Sequence, residues 1–166
     1  MTTFLKNRDM KFSFHLLLAC IALTACGESG KTTADYRIVP CPGEIAPGDG
    51  GDFELDARTR IVCPGDTDGM RANAGFLAGY VESVVGSAPE ITGPDGLCDD
   101  GRAVILRADA PGKGGEAYEI EVSENRITVS GESDAGVFYG IQTLRKAMGA
   151  AKAAKVLFPA VRIADE

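Results

Sequence analysis

From Tyr118 the chain alternates apolar and polar residues with a period of two: Tyr118, Ile120 and Val122 lie between Glu119, Glu121 and Ser123. That period predicts a half-buried strand, because successive side chains on a strand point to opposite faces. Ser123-Glu124-Asn125-Arg126 predicts a tight hairpin turn, with Asn tolerating the left-handed conformation such turns need. Ile127 and Val129 then face the core from the return strand, with Arg126 and Thr128 outward. Past Gly131 the spacing changes. Val137, Ile141, Leu144 and Met148 recur at helical intervals with Phe138 and Ala147 flanking them, so Phe138 is expected in the interface between helix and sheet. Ser133 or Asp134 suits the N-cap of that helix and Gly149 its stop. Gly136 and Gly140 fall on one helix face, four residues apart, where close packing against the sheet is expected.

Around this strand–strand–helix unit the remaining pattern is weaker but consistent. Residues 36–45 should be extended, since Pro40 and Pro42 exclude helix. Residues 53–55 and 60–63 predict short strands. Thr67 or Asp68 caps a helix from Met70 to about Val85, with Met70, Ala74, Leu77, Val81 and Val84 as its apolar face and Gly86 as its end. A short strand at 90–92 follows, then the continuous apolar run 103–106, as in a central strand covered on both faces. Residues 155–163 form a last extended segment. Two helices, each with a single apolar stripe, and about six or seven strands predict an α+β two-layer sandwich. Its sheet is mainly antiparallel or mixed, and both helices lie on one face.

The first residues belong to a different class of sequence. Lys6, Arg8 and Lys11 form a charged head, and residues 12–22 an apolar core too short to span a bilayer. Met10 is an alternative start. Leu23-Thr24-Ala25-Cys26 resembles a bacterial lipobox, in which the cysteine is lipidated and becomes the new N-terminus. The expected organisation is a lipoprotein signal peptide over 1–25, a small polar tether over 26–35 and a folded domain over 36–166. Gly27 is not the aspartate that retains many lipoproteins at the inner membrane, so a lipid-anchored place at the outer membrane of a Gram-negative cell envelope is expected.

Charge and composition remove several functions. The net charge is −7 with no basic run after the leader, so nucleic acid is not an expected partner. The single histidine, His15, lies in the leader. Past it there is no imidazole, which excludes Ser-His-Asp and Cys-His nucleophilic centres and histidine metal sites. Cys26, Cys41, Cys63 and Cys98 show no C-x-x-C spacing, and plain buried cysteines are expected for the last three. Asp49, Asp52 and Asp99-Asp100 flank glycines and read as turns. Gly112-Lys113-Gly114-Gly115 lacks the Ser or Thr of a phosphate loop and reads as a plain loop. Neither a metal nor a cofactor is expected.

The run from Ala117 to Lys146 also resembles the strand–strand–helix signature in the small N-terminal domain of family 20 glycoside hydrolases, the β-N-acetylhexosaminidases. Tyr118 matches the first strand of that signature, and Gly136, Phe138, Tyr139, Gly140 and Leu144 match its A-G-x-F-Y-G-x-Q-T-L helix. Ile38-Val39-Pro40-Cys41-Pro42 is similar to the family's opening I-I-P-x-P, and Phe158-Pro159 through Ile163 to its closing I-P-x-x-x-I-x-D. The resemblance implies an accessory domain whose partner is a catalytic barrel that is absent from these residues. It also implies that the acid Glu and supporting Asp of the family's catalysis lie in that barrel. Asp165-Glu166 has the same letters but falls on the closing segment, so no catalytic residue is assigned to this chain. The alternative, a free-standing envelope lipoprotein that binds glycan or protein, is disfavoured by the absence of Trp and the scarcity of Tyr.

Overall fold

In chain order the elements of the computed structural model are β1 (Lys31–Thr33), β2 (Glu44–Pro47), β3 (Phe53–Leu55), β4 (Arg60–Val62), α1 (Asp68–Val85), β5 (Ile91–Thr92) and β6 (Ala103–Arg107). The hairpin β7 (Tyr118–Ser123) and β8 (Arg126–Gly131), helix α2 (Asp134–Met148), β9 (Lys155–Phe158) and β10 (Val161–Asp165) follow. The structure describes residues 30–96, 101–109 and 115–166. The leader with Cys26, the Cys98-Asp99-Asp100 loop and Gly112-Lys113-Gly114 lie outside the described residues.

The fold is α+β, but with two sheets rather than one. The large one has the order β2-β10-β7-β8-β6-β4-β5. It is antiparallel from β2 to β8 and parallel from β8 to β5. The small sheet, β1-β9-β3, takes one strand from the expected tether: Lys31, Thr32 and Thr33 pair parallel with Lys155, Val156 and Leu157. The single extended segment expected over 155–163 breaks at Pro159-Ala160, which sends β9 to the small sheet and β10 to the large one. Asp52 Oδ1 accepts the Ala160 N–H at 3.2 Å and holds that corner.

Both helices begin and end where capping chemistry places them. The Thr67 side chain accepts the Met70 N–H, and Ser133 accepts the N–H groups of Ala135 and Gly136. Gly86, at φ 84°, closes α1 in the left-handed conformation that glycine adopts without strain. The hairpin is different. Ser123 pairs with Arg126 across a two-residue loop, yet no described non-glycine residue has positive φ. Asn125 therefore does not adopt the left-handed conformation expected of it, and the turn is not of the primed types.

One face of the large sheet carries Ile61, Val104, Leu106, Ile120, Val122, Ile127, Val129 and Ile163 into the main core. Both helices cover that face, and Phe53, Leu55, Val156 and Phe158 from the small sheet join the same core. Each such side chain contributes about 1.5–3 kcal/mol on burial. On the opposite face Val62, Ala103 and Ile105 make a separate small cluster, so β6 is buried on both sides, as its unbroken apolar run predicts. At the small sheet, Glu54 accepts from Lys155 Nζ at 2.8 Å and Arg102 Nη1 at 3.1 Å. These partners hold its pKa below the ordinary carboxylate value. Ionised Glu54 thus supports the fold above the normal carboxylate range, and that support is lost as pH falls through its lowered pKa.

Candidate functional site

Helix α2 lies directly on the β7–β8 hairpin because two of its glycines allow it. A Cβ on Gly136 would enter the van der Waals shell of the Ala117 carbonyl oxygen. One on Gly140 would stand 2.5 Å from Val129 Cγ1 and 3.3 Å from Tyr118 Cδ2. Beside them Tyr118 is buried, and its hydroxyl is 2.7 Å from Thr143 Oγ1. Burial, with the Asp165 carboxylate nearby, pushes the Tyr118 phenol above its ordinary pKa. Leu144 is 2% exposed and belongs to the main core.

Phe138 is not in the interface between helix and sheet. It is 37% exposed, and its ring meets Phe76 of α1 at a centroid distance of 5.7 Å. The physical reason is its angle around the helix. The inward arc, with Val137, Gly140, Ile141 and Leu144, is centred near Gly140 and Leu144, and Phe138, about 100° beyond Val137 on the side away from that centre, turns towards α1. Tyr139 is exposed as well and packs edge-on to Phe138 at 5.9 Å. Sequence reasoning missed Phe76, Tyr80 and Arg145, which join this cluster; the Arg145 guanidinium lies 5.9 Å and 5.5 Å from the two ring centroids. A large aromatic off the apolar stripe of α1 was the available signal.

The opening and closing segments meet along β10. Gly43 N–H donates to Asp165 Oδ1 at 3.1 Å and Lys146 Nζ to the Val39 carbonyl at 2.9 Å, while beyond the other end of the strand the Tyr36 hydroxyl donates to the Pro159 carbonyl at 2.8 Å. Beside Asp165 and Lys146 lies an open groove of about 220 Å³, lined by Pro40, Tyr118, Tyr139, Gln142, Lys146, Asp165 and Glu166 among others. Asp165 pairs with Tyr118 at the end of β10, so its carboxylate serves the Gly43 loop. At the helix N-termini, Thr67 Oγ1 donates to Asp134 Oδ2 at 2.8 Å and Asn73 Nδ2 to the Asp134 carbonyl at 2.8 Å, which latches α1 to α2.

The remaining candidates are structural or isolated. Cys63 is half-buried, with Sγ 3.6 Å from the carbonyls of Gly65 and Met70, and burial raises its thiol pKa. Cys41 is exposed, contrary to the expectation of a buried cysteine, because the proline-flanked opening segment runs over the surface. Among the described residues no group of three His, Cys, Asp or Glu side chains is placed to hold a metal ion.

Comparison with known proteins gives this corner a context. Residues 35–166 match the family model described as glycosyl hydrolase family 20, domain 2. A β-N-acetylhexosaminidase of Cellulomonas fimi is 29% identical over 132 residues, which are 79% of this chain and 26% of that protein. Among solved structures, the family 20 β-N-acetylhexosaminidase of Streptomyces coelicolor A3(2) superposes with a TM-score of 0.66 at 23% identity, covering 78% of this chain and 26% of that one. The N-acetyl-β-hexosaminidase of Streptomyces plicatus gives 0.62 over the same shares, also at 23% identity. The chain therefore spans about a quarter of the length of each of these relatives. On the family match across 35–166, this chain belongs to glycosyl hydrolase family 20, and residues 35–166 correspond to that family's domain 2.

Proposed function

We propose that this chain is the accessory domain of a β-N-acetylhexosaminidase, that it works beside a catalytic barrel, and that lipid on Cys26 holds it to the cell envelope. The match of 35–166 to domain 2 of family 20 carries the reading. The domain's own chemistry agrees. Glycoside hydrolysis needs a carboxylic acid whose pKa is raised so that it can protonate the leaving oxygen. Among the described residues, the carboxylates with displaced pKa values are Asp35, Glu54, Asp56 and Asp109, and all are displaced downward. For Asp35 the Arg37 side chain brings the value to about 2, and Arg107 does the same in kind for Asp109. Burial alone would raise Asp56, but hydrogen bonds from Arg58 and the charge of Arg102 prevail. A carboxylate held ionised by a neighbouring lysine or arginine is poorly suited to act as a general acid.

Purified residues 27–166 should therefore match the buffer blank on a chromogenic N-acetylglucosaminide. A protein extended through the downstream reading frame should turn the same substrate over. Activity in the short protein, abolished by changing one of its own carboxylates, would overturn the accessory reading.

Anchoring has its own test. A cysteine carrying several acyl chains binds a bilayer firmly, at about 0.8 kcal/mol for each buried CH₂. Radiolabelled palmitate should enter the wild type and not Cys26→Ser. Equal labelling of the two would remove the anchor from the proposal and leave the domain assignment untouched.

A further inference from the structure

The segment expected to be a free tether over 26–35 is tied down from Gly30 onward. Strand β1 pairs with β9 over Lys31–Thr33, and the Gly30 carbonyl accepts the Ala154 N–H at 3.2 Å. The N–H groups of Ala34 and Asp35 donate to the carbonyls of Leu157 and Ala147 at 2.8 and 2.9 Å. Only Gly27, Glu28 and Ser29 separate Cys26 from Gly30. Four peptide steps reach at most about 14 Å, whereas the nine steps of a wholly free 26–35 would reach about 32 Å. A domain of this size has a radius of gyration of about 14 Å, so on the shorter leash it cannot turn every face to a bilayer.

Gly30 lies at one end of the helix pair. Close to it in the fold, Ala153 N–H donates to the Val84 carbonyl of α1 at 3.0 Å, and the Tyr80 hydroxyl donates to the Gly149 carbonyl just past α2 at 2.8 Å. The helix N-termini, latched by Thr67 and Asp134, lie at the other end, about 27 and 22 Å away along α1 and α2. The Gly30 end exposes small and basic residues, Ala150, Ala151, Lys152 and Ala154 beside Lys31. Segments 31–33 and 149–155 together carry Lys31, Lys152 and Lys155 and no carboxylate, in a chain of net charge −7. Lys31 and Lys155 face each other in register and share Glu54, at 3.9 and 2.8 Å. The lysines thus outnumber the acid they share.

We infer that the lipid-anchored chain rests on its phospholipid leaflet through this end of the domain, with Lys31, Lys152 and Lys155 against anionic headgroups and the helix N-termini directed away. The inference rests on the proposed lipid at Cys26. Tether length selects the end of the domain, and charge selects the surface within it. Lysines beside an anchor are drawn to an anionic leaflet only within a Debye length, about 8–10 Å, and the short leash keeps them near that range. Their flexible stems let the ammonium groups reach headgroups while the alanines lie close to the surface.

The chain contains no tryptophan, so a single indole can report on each end of the domain. The full chain, produced with its leader in a Gram-negative host, is returned from detergent to vesicles of phosphatidylethanolamine and phosphatidylglycerol. These vesicles also hold phosphatidylcholine spin-labelled at the headgroup. Ala151→Trp and Glu132→Trp mark the two ends, both at exposed positions. Ala151→Trp should lose most of its emission to the spin label, and Glu132→Trp should keep its emission. Lys31→Gln with Lys152→Gln should weaken the quenching of Ala151→Trp without changing the melting temperature. A flexible Gly-Ser insert of about 15 residues after Ser29, with a reach of about 20 Å, should abolish that quenching in the lysine variant. Quenching that is equal at the two positions, or stronger at Glu132→Trp, would overturn the inferred face and leave the anchor standing. Undiminished quenching in the lysine variant would overturn the headgroup contact. A chain that does not sediment with the vesicles would overturn the anchor and the face together.

Discussion

Gly136→Ala is expected to destabilise the domain by about 2 kcal/mol, although it adds a single methyl group. The atoms that the new Cβ would meet are the Ala117 carbonyl oxygen and, at 3.3 and 3.4 Å, Ala117 C and Gly131 Cα. All three are backbone atoms, so no rotamer change relieves the clash, and α2 must lift from the hairpin. Overpacking costs about 1–3 kcal/mol, and more where backbone has to shift. The gain of about 1 kcal/mol on replacing a helical glycine offsets part of this. Gly75→Ala makes the same chemical change on the other helix, where a Cβ meets nothing within 4 Å, and should stabilise. Urea unfolding of the two variants would therefore move the midpoint in opposite directions. A Gly136→Ala protein as stable as the wild type would show that α2 does not sit on the hairpin as closely as described.

Signals that are local and periodic were readable from the residues alone. Both helices, their inward stripes, the Thr67 and Ser133 caps and the doubly buried run in β6 follow from spacing and capping chemistry. Signals that depend on distant partners were not. Lys31-Thr32-Thr33 has no apolar alternation, and it becomes a strand only through β9, more than 100 residues away. Likewise, the Gly43–Asp165 and Lys146–Val39 contacts join residues 122 and 107 positions apart, so the groove was visible only as three separate motif pieces. Phe138 was misplaced for a different reason. The buried arc of α2 is centred near Gly140 and Leu144 because the two glycines set the face that meets the sheet, and a stripe drawn from the large apolar residues alone is centred too close to Phe138.

The corrected placement of Phe138 predicts a large contrast along one helix. Leu144→Ala should cost about 3–4 kcal/mol, since Leu144 is 2% exposed in the main core and truncation there removes apolar contact and leaves a cavity. Against a typical total of about 5–15 kcal/mol, that is a substantial part of the domain's stability. Phe138→Ala removes a larger side chain, yet Phe138 is 37% exposed and its ring contacts are with Phe76 and Tyr139. Aromatic pairs of this kind contribute about 0.5–1.5 kcal/mol, so the loss should stay near 1 kcal/mol. Denaturant unfolding with an unchanged slope is the measurement, because an unchanged slope shows that the unfolded reference has not moved. Equal losses for the two variants would return Phe138 to the interface between helix and sheet.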